Sequence, residues 1–240
     1  MIRALLVMAV LLAPQVLQAQ DLSPLEEATQ AVGSGVGRHT ITLLAAMTVL
    51  SLAPGLAIMV TCFPFVVTVL SVLRQSIGLP QAPPNMVIVS LAMFLTWFVM
   101  NPVLTEAWQV AGAPLRNNEI TVEQAFERGM VPFRRFMEAR TAPDTLEALA
   151  ALSPDPDAPA ARLSVLVPAF MLSEIQRAFE IGFLVSLPFL IIDLVVSAVL
   201  MSMGMMMVPP AVVSLPFKLA FFVVVDGWQL VASALVRSYQ

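Results

Sequence analysis

Apolar residues fall in long runs with one polar block between them. Residues 40–73 form a stretch of 34 positions without a charge, and residues 86–104 a second of 19. Charge then crowds into residues 105–162, which hold fifteen of the 28 charged side chains. A further uncharged run of 24 covers residues 194–217. Runs of this length predict apolar helices, since roughly 20 residues cross a bilayer. The expected architecture is all-α. Two long apolar helical hairpins, over residues 41–104 and 168–240, supply four transmembrane helices, and a polar helical insert over 105–167 lies between them.

Prolines and glycines punctuate these runs. Pro54-Gly55 and Pro64 predict a broken or kinked first helix, and Pro102 interrupts the second near its end. Arg74 closes the first run, and Pro83-Pro84-Asn85 makes the turn into the second. In the insert, a helix over 120–140 is expected to be interrupted at Gly129 and Pro132, with a short helix over 144–152 and an exposed linker over 153–159. Beyond it come apolar segments 170–182 and 183–192, then Asp193, and residues 204–210 break the hairpin between its arms. Lys218, Asp226 and Arg237 punctuate the final helix.

The first residues have a different pattern: Arg3, a short apolar run, and a small residue at Ala19. That is a signal peptide over 1–19, cleaved after Ala19. Residues 20–40 form a polar segment in which Gly33, Gly35 and Gly37 make a flexible turn. A dinucleotide fingerprint would need a flanking strand and helix. With a cleaved signal and two crossings, the insert falls outside the cytoplasm, and the loop carrying Arg74 falls inside.

Composition narrows the class. Of 240 residues, 59% are hydrophobic and 12% charged, against about 45–50% and about 25% in soluble domains. Mean hydropathy is +0.88. Twelve basic against sixteen acidic residues argue against a nucleic-acid binder, and a lone Cys62 allows no internal disulfide.

Candidate chemistry is sparse. His39 is the one histidine, so no zinc set or serine-type triad finds good material, and no phosphate-binding Gly-Lys-Ser/Thr loop is present. An enzyme is not expected, and neither is a cofactor. The informative positions are charges inside apolar helices, which are costly in lipid unless paired. Glu174, Arg177 and Glu180 stand three apart, so either acid can pair with the arginine on one helical face. Asp193 and Lys218 sit on opposite arms of the last hairpin, which suits an inter-arm or intersubunit ion pair. Met205, Met206 and Met207, preceded by Met201 and Met203, offer either a conformable pore seal or apolar filler.

Several of these stretches together carry a family likeness. Residues 168–183 (PAFMLSEIQRAFEIGF), 187–193 (LPFLIID), 203–207 (MGMMM), 215–218 (LPFK) and 226–228 (DGW) resemble, in order, the FliP family of flagellar export-gate proteins and its injectisome counterparts. Residues 73–75 (LRQ), 83–85 (PPN) and 94–96 (FLT) are similar too, so the likeness covers roughly 40–237. It implies a homo-pentamer that joins FliQ and FliR, with FlhB as a further partner, in a gate of the flagellar basal body passing unfolded flagellar proteins. It also implies that Met205, Met206 and Met207 form the pore gasket, and that the hairpins pack largely against one another. Two departures stand out. The arginine that the family carries after its Thr-x-Phe is missing beyond Thr61-Cys62-Phe63, where Pro64 follows and is expected to bend the helix. Met86 stands where glutamine is usual. The competing readings are an injectisome homologue and an ion-coupled transporter using Asp193 and Lys218.

Overall fold

The computed structural model describes residues 57–79, 82–153, 162–205 and 207–239, with positions 43, 44, 47, 48, 51, 52 and 55 before them. The expected signal segment, the polar segment with His39, the linker at 154–159 and Met206 lie outside the described residues. The chain divides into two units, Met1–Pro54 and Gly55–Gln240. In the first, the described positions are helical and exposed. All that follows concerns the second, in which the described residues form helices joined by turns and contain no strand.

Helix α1 (Phe63–Ile77) is the hub. Pro64 sits in its first turn, where the missing N–H would have had no helical partner, so it starts the helix and does not bend it. Gly78, at φ 90°, closes it by donating its N–H to the Gln75 carbonyl. Val66, Val69, Leu70, Leu73 and Ile77 form one buried stripe. Around it gather Ile88, Ala92, Leu95, Ala178, Phe189, Phe222, Val231 and Leu235 from the other apolar helices.

Helix α2 (Asn85–Ala107) runs straight through Pro102, continues as a π-helical turn (Trp108–Gly112), and ends with Ala113–Arg116. The interruption expected at Pro102 is absent, because an apolar helix packed on neighbours tolerates proline. The π turn, which no sequence signal announced, places the Trp108 ring against Gly112, where a Cβ would lie 2.3 Å from it.

The insert is two helices. Thr121 and Gln124 form a reciprocal capping box at the start of α3 (Val122–Arg140). Gly129 and Pro132 do not break α3. Gly129 instead lets it approach the π turn after α2, since a Cβ there would be 3.3 Å from that of Ala111. Helix α4 (Pro143–Ala151) starts on a proline. Met137 of α3 is buried with Leu166 and Phe170 of the next helix, which docks the insert.

Helix α5 (Leu163–Ser202) is continuous for 40 residues, through Pro168 and Pro188, and is about 60 Å long. It ends in a Schellman turn. Gly204, at φ 72°, donates to the Met201 carbonyl and Met205 to that of Leu200. The last arm, expected as one helix, is two: α6 (Pro210–Val224) and α7 (Gly227–Arg237), bent by 61°. Asp226 takes a left-handed φ of 50° at the bend, and Gly227 leaves room for the Phe222 ring, 2.1 Å from where a Cβ would stand.

Among the described residues two helices are long and apolar enough to cross a membrane, or three if the bent pair counts as one. Four were expected. α1 has 15 residues, and most of the run before it lies outside the described residues.

The α1–α5 crossing is tight at Gly182, where a Cβ would stand 3.1 Å from that of Val72. Gly182→Leu is expected to overpack this contact and destabilise the chain by about 1–3 kcal/mol. Thermal unfolding of the detergent-solubilised protein, followed by circular dichroism, checks it; an unchanged midpoint contradicts the close approach.

Candidate functional site

Two clusters of charge are built into the apolar framework. The first centres on the Glu174 carboxylate, which is 0% exposed. Arg140, from the last turn of α3, donates Nε–H to Glu174 Oε1 at 3.0 Å. Arg177, one turn along α5, reaches the same oxygen at 3.2 Å and also donates to the Arg140 carbonyl at 3.4 Å. Tyr239 donates its hydroxyl to Glu174 Oε2. Burial and the adjacent carboxylate push that phenol well above its ordinary pKa range, so it remains a donor. Beside them the Ser173 hydroxyl accepts the Ala142 N–H at 3.0 Å and donates to the Ala169 carbonyl at 2.8 Å, fixing the α3–α4 corner on α5.

The second cluster lies farther along α5. Lys218 of α6 donates Nζ–H to Asp193 Oδ2 at 2.6 Å and to the Ser76 carbonyl at 3.1 Å. The Ser214 hydroxyl donates to Asp193 Oδ1 at 2.6 Å. Its side chain 7% exposed, the ammonium sits against the carbonyl end of α1, the negative end of that helix dipole. One lysine thus joins α1, α5 and α6.

Of the charged residues singled out in the sequence, Glu174 with Arg177 and Asp193 with Lys218 come together within one chain. Glu180 does not reach Arg177 and instead accepts the Gln176 amide at 3.1 Å. Asp226 sits at the α6–α7 bend. Sequence reading missed Arg140 and Tyr239. Their partner is 34 and 65 positions away, and no local spacing signals a contact of that separation.

The α5–α6 tip carries the methionines. Met201, Met203, Met205 and Met207 are exposed, Met207 at 97%. Met205 lines an apolar cavity of about 550 Å³ with Val199, Met203, Val213 and Phe217. Farther out, Met93, Phe94, Trp97 and Phe98 on α2 and Phe183, Leu184, Ile191 and Leu194 on α5 are exposed. Apolar surface on this scale marks contact with lipid or other protein.

Other chemistry finds little footing. No group of three or more metal-ligating side chains occurs among the described residues. Cys62 is buried in an apolar run, where a thiol is inert.

The two kinds of charge pair should differ sharply in weight. Glu174→Ala strands the Arg140 guanidinium and the Tyr239 hydroxyl, and is expected to cost about 3–5 kcal/mol. Glu106→Ala removes the solvent-exposed Arg135–Glu106 pair and is expected to cost about 0–1 kcal/mol. Denaturant titration of both variants checks this, and equal losses would contradict the assignment of Glu174 as a structural centre.

Comparison with known proteins adds the lineage. Residues 46–235 match the FliP family. The flagellar biosynthetic protein FliP of Caulobacter vibrioides is 50% identical over 211 residues, covering 87% of this chain and 79% of that protein. The protein of the same name from Agrobacterium fabrum is 47% identical over 245 residues, covering all of both chains. That of Bacillus subtilis is 45% identical over 204 residues, covering 83% of this chain and 92% of that one. With the family match spanning nearly the whole described fold and the helices bearing both charge clusters, the chain belongs to the FliP family.

Proposed function

We propose that this chain is a subunit of the flagellar type III protein export gate, forming the pore through which unfolded flagellar proteins cross the inner membrane. Its membership of the FliP family over residues 46–235 carries the reading. The geometry supports it. An α5 about 60 Å long is roughly twice the 30 Å hydrocarbon thickness, and 17% of its most apolar stretch is buried. Lipid alone does not match such a surface; other protein chains do. In this reading copies of the chain form a homo-pentamer and join FliQ, FliR and FlhB, with the insert facing the periplasm.

Within the gate, Met205, Met206 and Met207 form the gasket. Met205 and Met207 belong to the turn at the α5–α6 tip, and flexible thioethers adapt to a closed or an occupied pore. Glu174, Arg177, Asp193 and Lys218 hold each subunit in the shape that its neighbours pack against. Asp193 and Lys218 suit an ion-coupled transporter less well. Such a path requires them to exchange partners with water or substrate, and Lys218 is buried with its donors directed at Asp193 and Ser76.

Deletion of the gene is expected to abolish swimming and the export of hook and filament subunits, with restoration by the intact chain. Loss of effector delivery with swimming intact would instead point to the injectisome. Replacing Met205, Met206 and Met207 with alanine is expected to leave an assembled complex that leaks small ions. Unchanged ion permeability in the assembled complex would rule out the gasket.

A further inference from the structure

We infer that Tyr239 is a positioning residue, a clasp that fixes the segment after α7 to α1, α3 and α5 and so holds α7 as a strap bent away from α6. One side chain makes all of these contacts. Its hydroxyl donates to the buried Glu174 of α5. Its ring lies 4.0 Å from the Arg140 guanidinium carbon of α3, a cation–π distance. The same ring stacks on Phe136 of α3 at 6.0 Å between centroids and meets Phe65 of α1 edge-on at 5.4 Å. The backbone is gripped too, since Arg140 donates Nη1–H to the Ser238 carbonyl at 2.8 Å.

The rest of α7 explains why a clasp matters. Its near end is a hinge: Asp226 stands at φ 50°, a region asparagine and aspartate tolerate better than most residues, and the two helices diverge there by 61°. Between hinge and clasp, α7 buries one narrow stripe, Gly227, Val231 and Leu235. Its adjacent face, with Leu230 and Ala234, borders an apolar groove of about 550 Å³ whose far wall is Ile181, Val185 and Phe189 of α5. No side chain of the described residues fills that groove. A helix held by a single stripe opens locally at a fraction of the cost of global unfolding, and the contacts at its ends set that cost.

Amide hydrogen exchange on the full chain in detergent tests this without reference to export. Tyr239→Ala is expected to speed exchange over residues 227–237 by roughly ten- to a hundred-fold, the factor for losing one hydrogen bond to a charged group. Exchange in α1 should stay unchanged. Tyr239→Phe keeps the ring on Arg140 and loses the hydroxyl, and is expected to give a smaller increase in the same segment; it carries the test alone if the alanine variant fails to fold. Arg140→Lys, which cannot reach Glu174 and the Ser238 carbonyl from one planar group, should loosen α7 as well. Unchanged exchange in α7, or equal acceleration in α1, overturns the inference.

Discussion

A carboxylate with no access to water governs how this chain is put together. Glu174 projects from a helix that is otherwise apolar along most of its length, and an isolated charge there would be expelled or neutralised. It stays because donors arrive from three elements: Arg140 from the insert, Arg177 from its own helix, and Tyr239 from the segment after α7. Each is placed by a different physical device. A capping box starts the helix that ends at Arg140, helical spacing sets Arg177 one turn away, and the bend at Asp226 turns α7 by 61° from α6. The insert and the last arm are thus held by the same two oxygens.

The apolar surface follows a different logic. α1 is covered on nearly every side, whereas α2 and α5 keep rows of Met, Phe, Trp and Leu exposed. A solitary soluble chain with this surface would aggregate. Such helices are made to be completed by lipid or by other chains, and the chain's own core gathers mainly around the short α1, with a smaller cluster where the insert docks. Attraction within the single chain therefore rests on a small core, and its register on two ionic centres, with the larger apolar area reserved for assembly.

How much of this the sequence reveals depends on the range of the interaction. The hairpins and the insert are legible because run length is a local property. The Asp193–Lys218 pairing is legible because a hairpin folds one arm onto the other, so that opposed charges in uncharged runs have few other partners. Gly204 and Pro210 mark the tip for the same reason. Prolines misled in one direction: Pro64 starts a helix, while Pro102 and Pro132 are carried inside helices, because tertiary packing outweighs one missing hydrogen bond. The Tyr239–Glu174 contact spans 65 positions and has no local signature. The bend at Asp226 is hidden similarly, since a single aspartate before a glycine reads as a charge within a helix until the ring of Phe222 is seen to fill the place of a Cβ.

The spacing of the two ionic centres along α5 gives them a common role. Glu174 and Asp193 are 19 residues apart, about 28 Å of helix. Between and beyond them the contacts are Val, Leu, Ile and Phe, which pack almost as well after a slip of one turn. Apolar packing supplies attraction without register. A charge pair in such surroundings adds little net stability but makes every shifted arrangement expensive, because a slip leaves an ion unpaired. Lys218 strengthens this by needing Asp193 on one helix and the Ser76 carbonyl on another. With α1, α5 and α6 locked at one point and α3, α5 and the segment after α7 at the other, the long helix keeps one register along both hairpins. That fixed register determines which apolar faces remain outward for the next chain.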